Sequence, residues 1–186
     1  MIAFNNVSFK YRNSKEIISN FSFNVKMGER ICISGASGSG KTTLLRLIMG
    51  LEKPKKGSIE RKENLTFSVS FQEDRLIPLK SAAENVALFS DTDTALTILC
   101  ELGLCEETEK LPEELSGGMK RRVSLARALA HKSDVLILDE AFTGLDKTTK
   151  DKCIECIEKH IGGRTFIMIT HDIEEAKTLG CRIISI

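Results

Sequence analysis

The stretch Gly35-Ala36-Ser37-Gly38-Ser39-Gly40-Lys41-Thr42 decides the fold of this chain. It follows a short apolar run, Arg30–Ser34, that predicts a buried strand, and it precedes Thr43–Met49, which predicts a helix. A glycine-rich turn at this place can be only a tight turn, but the Gly-Lys-Thr ending favours a cradle for phosphate groups. Backbone N–H groups at the helix N-terminus would face the phosphates, Lys41 would reach the β- and γ-phosphates, and the Thr42 hydroxyl would bind Mg²⁺. The stretch therefore predicts a nucleoside triphosphate site without naming its use.

The length, composition and net charge limit the classes of protein to which the chain can belong. With 186 residues, 41% of them hydrophobic and 28% charged, the chain fits one soluble globular domain with a sizeable core. The formal net charge of +1 gives no strong field for nucleic acid, so no nucleic-acid partner is expected. Met1–Asn6 lacks the features of a signal peptide, and no apolar run approaches the roughly 20 residues of a membrane helix. A cytoplasmic location is the expectation, with any membrane role supplied by a partner.

Strand and helix patterns alternate along most of the chain, which predicts an α/β fold with a mainly parallel sheet. Two strands, Ile2–Phe9 and Ile17–Val25, with a turn over Tyr11–Ser14, predict an N-terminal antiparallel β-subdomain. The stretch Ser81–Leu115 is helical in character and predicts a small α-helical subdomain, inserted at approximately 73–131 into a single domain over 1–186. The other predictions are a turn at Pro54–Gly57, strands at Ser58–Lys62, Leu65–Phe71, Val135–Asp139, Arg164–Thr170 and Arg182–Ile186, and helices at Gly117–His131 and Lys147–His160.

Six cysteines raise the possibility of a metal site or of disulfides. Cys153 and Cys156 are three residues apart, but the isoleucines around them indicate a helix, and no second Cys/His pair follows at the spacing of a zinc site. Reduced thiols in a cytosolic protein are therefore expected.

A run of branched apolar residues, Val135–Leu138, precedes two acids, Asp139 and Glu140. Such a run suits a strand buried on both faces of a parallel sheet, and ligands gather at the carboxyl ends of these strands. Asp139 is therefore a candidate for holding Mg²⁺, and Glu140 for accepting a proton from an attacking water. Away from a phosphate loop, two acids here would equally suit a helix cap or an exposed turn.

The stretch Leu115-Ser116-Gly117-Gly118-Met119 opens a second helix. Ser116 is a natural N-cap, but two glycines are a costly helix start if stability alone is served. They would let a phosphate approach the backbone closely. The chain then has two phosphate-binding helix starts for one nucleotide, which predicts a head-to-tail dimer with each nucleotide between Lys41 of one subunit and Ser116 of the other.

Six separated elements occur in the order Gly35–Thr42, Gln72, Leu115–Met119, Leu138–Glu140, Asp146 and His171. This order resembles the nucleotide-binding domain of ABC transporters and covers nearly the whole chain. The resemblance implies ATP and Mg²⁺ as ligands, ATP hydrolysis, and a homodimer held together by two ATP molecules. The catalytic residues that it implies are Lys41, Gln72, Glu140 and His171, and the implied metal ligands are Thr42, Gln72 and Asp139. The implied ATP-binding residues are Tyr11, Gly35, Ala36, Ser37, Gly38, Ser39, Gly40, Lys41, Thr42, Thr43, Ser116, Gly117, Gly118 and Asp146.

Several of these roles have structural alternatives. Tyr11, which resembles the aromatic residue on which adenine stacks, would otherwise pack at a strand end. Gln72 resembles the glutamine that contacts Mg²⁺ and the attacking water, and would otherwise lie in an exposed turn. Asp146 resembles the aspartate that senses the partner subunit's site, while an N-cap is a competing or additional role. His171 resembles the histidine that contacts the γ-phosphate.

The residues after Gln72 narrow the resemblance. The stretch Glu73–Val86 is similar to importer ATPases of the nitrate, sulfonate and taurine type, although Leu79 stands where that group usually has tryptophan. The resemblance implies a bacterial small-solute importer, with integral-membrane permease subunits and an extracytoplasmic solute-binding protein as partners. This chain would then lie at the inner face of the cell membrane as a peripheral protein.

Two other functions compete with transport. An iron–sulfur assembly ATPase of the same family would have a soluble partner instead of a permease. A small nucleotide kinase shares the phosphate loop and the length, but it does not explain Leu115–Met119 or the pair of acids at Asp139 and Glu140.

Overall fold

The computed structural model describes residues 1–12 and 14–186, and within them eight strands form two sheets. The strands are β1 (Ile2–Phe9), β2 (Ile18–Val25), β3 (Arg30–Ser34), β4 (Lys56–Arg61), β5 (Phe67–Ser70), β6 (Val135–Asp139), β7 (Thr165–Ile169) and β8 (Arg182–Ser185). The helices are α1 (Lys41–Met49), α2 (Ala82–Ala87), α3 (Thr92–Glu101), α4 (Gly117–Ala130), α5 (Lys147–His160) and α6 (Ile173–Thr178). The predicted turn Tyr11–Ser14 includes Asn13, which lies outside the described residues.

The smaller sheet is antiparallel and has the order β2-β1-β4. Phe4 of β1 pairs with Phe23 on one side and with Ile59 on the other. Strand β4 begins inside the turn predicted at Pro54–Gly57. Gly57 has φ 77°, and a side chain there would collide with the carbonyl oxygens of Asn5 and Asn6, so the glycine allows the strand to run close against β1.

The larger sheet is parallel and has the order β5-β6-β7-β3-β8. Its three central strands are buried on both faces. Ile137 and Ile167 face one apolar cluster with α1 and the antiparallel sheet, whereas Leu136, Phe166 and their neighbours face a second cluster with α4 and α5. This alternation explains the unbroken apolar runs of the sequence. The predicted α/β class, with a mainly parallel sheet, an N-terminal antiparallel part and inserted helices, is confirmed.

Helices α2, α3 and α4 lie between β5 and β6 and pack on one another. Two short 3₁₀ turns, Cys105–Glu107 and Pro112–Glu114, connect α3 to α4, within the stretch for which the sequence predicted helical character. The division into one domain with an insert over 73–131 stays a prediction. Helix α6 was not predicted from the sequence, because six residues are too few to show helical periodicity.

Cys100 and Cys105 form a disulfide, with their Cα atoms 4.3 Å apart. The chain turns back at the end of α3, where Gly103 has φ 71° and Leu104 N donates to Leu99 O at 2.9 Å. The prediction of reduced thiols is therefore wrong for this pair, and the cysteines at positions 32, 153, 156 and 181 are free thiols.

In the part of the chain that the structure describes, no helix combines the length and the apolar character needed to cross a lipid bilayer.

Candidate nucleotide site

The phosphate loop, Gly35–Thr42, joins the carboxyl end of β3 to the start of α1. Gly40 caps α1 with φ 103°, and a Cβ there would lie 2.7 Å from Cγ2 of Ile17. The Lys41 ammonium is buried and turns back to donate to Gly35 O and Ala36 O, both at 2.9 Å. The Ser39 hydroxyl oxygen is also buried and has no hydrogen-bond partner among the described residues. A folded-back cation and an unpaired hydroxyl at a helix N-terminus fit a loop that binds an anion.

A cleft of about 320 Å³ opens at the carboxyl ends of the parallel strands. It is lined by Ile17, Ser37, Gly38, Gly40, Lys41, Thr42, Thr43, Gln72, Asp139, Glu140 and His171. The structure thus brings together the phosphate loop, both acids, the glutamine and the histidine that were proposed from the sequence. Ligands collect at this edge in parallel α/β sheets because several strand ends meet there.

Glu140 has an unusual backbone conformation. Its φ is 52°, in the left-handed region that a residue with a side chain adopts only when its surroundings enforce it, at a cost of order 1–3 kcal/mol. Its N–H donates to Ile169 O on the neighbouring strand at 2.9 Å. The conformation directs the carboxylate between two predicted partners: Gln72 Nε2 donates to one oxygen at 3.3 Å, and His171 Nε2 lies 2.8 Å from the other. A carboxylate held in this way can orient and deprotonate a water molecule.

Asp139 ends β6 and is only 5% exposed. Burial raises the pKa of its carboxyl group to about 6, and the charge of Glu140 adds to this rise, while Lys41 and Arg75 oppose it. The Thr42 hydroxyl and the Asp139 carboxylate both line the cleft. They are oxygen ligands of the kind that Mg²⁺ prefers, so this part of the cleft could hold that ion.

Asp139→Asn is expected to stabilise the protein when metal and nucleotide are absent. The folded-state pKa near 6 lies above the ordinary value of 3.8, so Asp139 costs stability as the pH rises through this window. Above pH 6 the cost is constant, of order 1–3 kcal/mol. Urea unfolding from pH 4 to pH 7.5 in EDTA should show a higher unfolding free energy for Asp139→Asn at pH 7.5 and little difference at pH 4. Equal stability of the two proteins at both pH values would mean that the pKa of Asp139 is not raised in the folded protein.

Ser116, Gly117 and Gly118 do not line the cleft. The Ser116 hydroxyl caps α4 by accepting a hydrogen bond from Met119 N at 3.3 Å, as predicted for an N-cap. A Cβ at Gly117 would meet nothing within 4 Å among the described residues, and one at Gly118 would only touch Leu145 at 3.4 Å. No contact among the described residues therefore requires the two glycines.

Tyr11 and Asp146 also lie outside the cleft lining. The Tyr11 ring packs edge-on against Phe9 with centroids 4.9 Å apart, and its hydroxyl lies 3.3 Å from an Arg46 guanidinium nitrogen and 3.5 Å from Thr43 Oγ1. Asp146 caps α5 by accepting from Thr149 N at 3.0 Å, and the Thr149 contacts lower the pKa of its carboxyl group. Both structural alternatives are thus realised, and the ligand roles of Tyr11 and Asp146 stay predictions.

Arginines that were not identified from the sequence support the site. Arg121 of α4 donates to Thr143 O and, at 3.3 Å, to Gln72 O, so one side chain joins the segments that carry Glu140 and Gln72. Arg127 donates to Asp74 O and Arg75 O at 3.0 and 2.9 Å. Backbone carbonyls leave no pattern in a sequence, so no sequence signal pointed to these arginines.

A phosphate loop at the end of a buried strand, facing two acids across the sheet edge, defines a nucleotide-binding domain of the P-loop class. A family profile described as ABC transporter matches residues 18–143. A solved chain described as "Dimeric structure of a post-hydrolysis state of the ATP-binding cassette MJ0796 bound to ADP and Pi" superposes with a TM-score of 0.86 at 30% identity, covering 100% of this chain and 94% of that one. The chain belongs to the ABC transporter family.

Curated relatives give the same family. The chain is 39% identical to the aliphatic sulfonates import ATP-binding protein SsuB 1 of Rhodococcus jostii (strain RHA1), over 96% of this chain and 76% of that protein. It is also 39% identical to the protein of the same name from Paraburkholderia xenovorans (strain LB400), over 95% of this chain and 55% of that protein. The chain thus spans only about half the length of one of these relatives and three quarters of the other.

Proposed function

We propose that this chain is the ATP-binding and ATP-hydrolysing subunit of a bacterial ABC importer for small solutes. The observation that carries the proposal is Glu140, held between Gln72 and His171 in the same cleft as the phosphate loop. The relatives, which are named import ATP-binding proteins, support transport and give no support to iron–sulfur assembly. A kinase would not need the Ser-Gly-Gly helix start.

Each of the cleft residues would have a separate role in ATP hydrolysis. On binding ATP, Lys41 would leave the carbonyls of Gly35 and Ala36 for the β- and γ-phosphates, and the loop N–H groups would surround the phosphates. Mg²⁺, held by Thr42 and Asp139 with Gln72 nearby, would neutralise phosphate charge. Glu140 would accept the proton of a water that Gln72 helps to orient, and His171 would stabilise charge on the γ-phosphate.

The second half of each site would come from another copy of the chain. Ser116–Gly118 presents N–H groups at a helix N-terminus, and no described residue crowds the space beside its glycines, as expected of a surface that meets a phosphate across an interface. The solved cassette MJ0796, at 31% identity, is described as dimeric, which supports a head-to-tail homodimer here. Leu145 lies against Gly118, so the Asp146 segment would respond when the partner's nucleotide arrives.

An apolar patch, formed by Ile77, Leu79, Leu88 and Phe89, suits a permease subunit. Their exposures are 38%, 88%, 40% and 54%, and a groove of about 380 Å³ runs beside three of them. The buried Asn85 amide pins the loop that carries Leu79: it accepts from Ile77 N at 2.8 Å and donates to Lys80 O and Ser81 O at 2.9 and 3.0 Å. A rigidly held and exposed apolar loop is expected of a docking surface.

The names of the relatives support a proposal for the transported solute. Two relatives named aliphatic sulfonates import ATP-binding proteins are 39% identical to this chain, so a sulfonate or a similar small oxyanion is the proposed cargo. An extracytoplasmic solute-binding protein would deliver it, and this chain would work in the cytoplasm at the inner face of the membrane.

Leu79→Asp is expected to keep ATP hydrolysis by the purified chain while lowering its recovery with membranes of the source cells by about tenfold. The side chain is 88% exposed and is not among the described residues that line the cleft, so only docking should suffer from the buried charge. Met27→Asp, at another exposed apolar side chain that is 42% accessible, is the matched control. Absence of Mg²⁺-dependent phosphate release from the unmodified chain would refute the ATPase proposal. Equal membrane recovery of both variants would refute the docking surface and leave the ATPase proposal standing.

A further inference from the structure

Three potential metal ligands that play no part in the nucleotide site meet where α3 approaches α5. Glu101 is the last residue of α3, and Cys156 and His160 are four residues apart on α5, so both project from the same face of that helix. One carboxylate oxygen, the thiol sulfur and one imidazole nitrogen all lie within 4.8 Å of one another. The cluster joins a helix of the inserted segment to a helix that packs on the parallel sheet.

The separations suit a tetrahedral zinc ion. Cys156 Sγ lies 3.7 Å from Glu101 Oε2, and sulfur and oxygen bound to one zinc ion at usual bond lengths are about 3.6 Å apart. His160 Nε2 lies 2.5 Å from the same oxygen, which is a hydrogen-bond distance. A shared metal ion would replace the proton between them and move the two groups apart by about 1 Å.

The surroundings allow this movement and the entry of an ion. The side chains of Glu101 and His160 are 22% and 23% exposed, whereas Cys156 is buried beneath them. A cleft of about 310 Å³ borders His160. Lys159 bonds the other carboxylate oxygen of Glu101, but its side chain is 66% exposed and is free to swing into solvent. Sulfur, nitrogen and oxygen together are a ligand set typical of zinc.

We propose that Glu101, Cys156 and His160 form a Zn²⁺ site that fastens α3 to α5, with water as the fourth ligand. Binding forms one Zn–S, one Zn–N and one Zn–O bond, releases the Cys156 thiol proton to solvent, and leaves the imidazole proton of His160 on Nδ1 instead of Nε2. The ion would restrain the inserted helices relative to α5, the helix that begins directly after Asp146. This site is separate from the proposed Mg²⁺ site and does not depend on ATP hydrolysis.

The test is titration of the nucleotide-free chain with Co²⁺, followed by absorbance. One equivalent should produce visible d–d bands and a near-ultraviolet thiolate-to-cobalt band, and Zn²⁺, which such ligands bind more tightly, should remove both. Cys156→Ser should abolish the near-ultraviolet band, and His160→Ala or Glu101→Gln should weaken binding at least about tenfold. Wild-type protein should also melt at a higher temperature with Zn²⁺ than with EDTA.

Matched variants separate this site from other thiols and imidazoles. Cys153→Ser removes a buried thiol one turn earlier on α5, and His131→Ala removes a half-buried histidine elsewhere, and both should retain the full spectrum. Lys159→Gln, on an exposed side chain, should bind Co²⁺ at least as tightly as wild type because a repelling charge is gone. The proposal would be overturned if the wild-type chain showed no thiolate band. It would also be overturned if the band disappeared only in the Cys100→Ser, Cys105→Ser double variant. Both results can be read even if Cys156→Ser fails to fold.

Discussion

Glu140→Gln is expected to bind ATP normally and to hydrolyse it about 10²–10⁴-fold more slowly. The amide has the size of the carboxylate and still reaches Gln72 and His171, but it cannot accept a proton from water. Lys41, Thr42 and Asp139 are untouched, so nucleotide affinity should change little. Because turnover ends the nucleotide-bound state, the variant should also remain dimeric with ATP, where the wild type returns to single subunits.

Three measurements test this expectation together. Equilibrium binding of ATP–Mg²⁺ gives the affinity, phosphate release gives steady-state turnover, and size-exclusion chromatography with ATP gives the dimer. Glu63→Gln removes an exposed carboxylate in the turn before β5 and serves as the matched control, which should behave as wild type. Normal turnover by Glu140→Gln would remove Glu140 from the role of base, and loss of ATP affinity would mean that its carboxylate holds the nucleotide or the metal instead.

The nucleotide cleft was largely predictable from the sequence because its parts obey one geometric rule. Gln72, Glu140 and His171 each follow a strand of one parallel sheet, and carboxyl ends of parallel strands lie at one edge. Knowing that these segments are strands is therefore enough to bring the side chains together. The apolar runs identified β6 and β7 because both faces of each strand are buried.

The features that were missed depend on long-range packing or on backbone atoms. The left-handed conformation of Glu140, which aims its carboxylate, is imposed by the strand beside it and is typical of no particular residue pattern. Arg121 works through two carbonyl oxygens, which every residue has. The early start of β4 follows from how closely Gly57 passes β1, and the Cys100–Cys105 disulfide follows from a turn at Gly103.

The proposed division of each nucleotide site between two subunits leads to the second large expected effect. A chain with Lys41→Ala loses the phosphate loop's cation, and a chain with Gly117→Asp places a negative charge where the partner's γ-phosphate would lie. Each variant alone should lose nearly all hydrolysis. Gly117→Asp should nevertheless fold well, because the space around Gly117 is open and an acidic residue in the first turn of a helix is favourable.

Mixing the two inactive variants should restore hydrolysis. A head-to-tail heterodimer of the two variants has two sites, and one of them combines both defects. The other site is intact, because it pairs the Lys41 loop of the Gly117→Asp chain with Ser116–Gly118 of the Lys41→Ala chain. An equimolar mixture should therefore recover about one quarter of wild-type phosphate release, since about half of the dimers are mixed and each has one intact site. Mixing Lys41→Ala with Glu140→Gln should restore nothing, because both defects affect residues of the same chain's cleft. Equal recovery in the two mixtures, or none in either, would mean that Ser116–Gly118 does not complete the site of a partner.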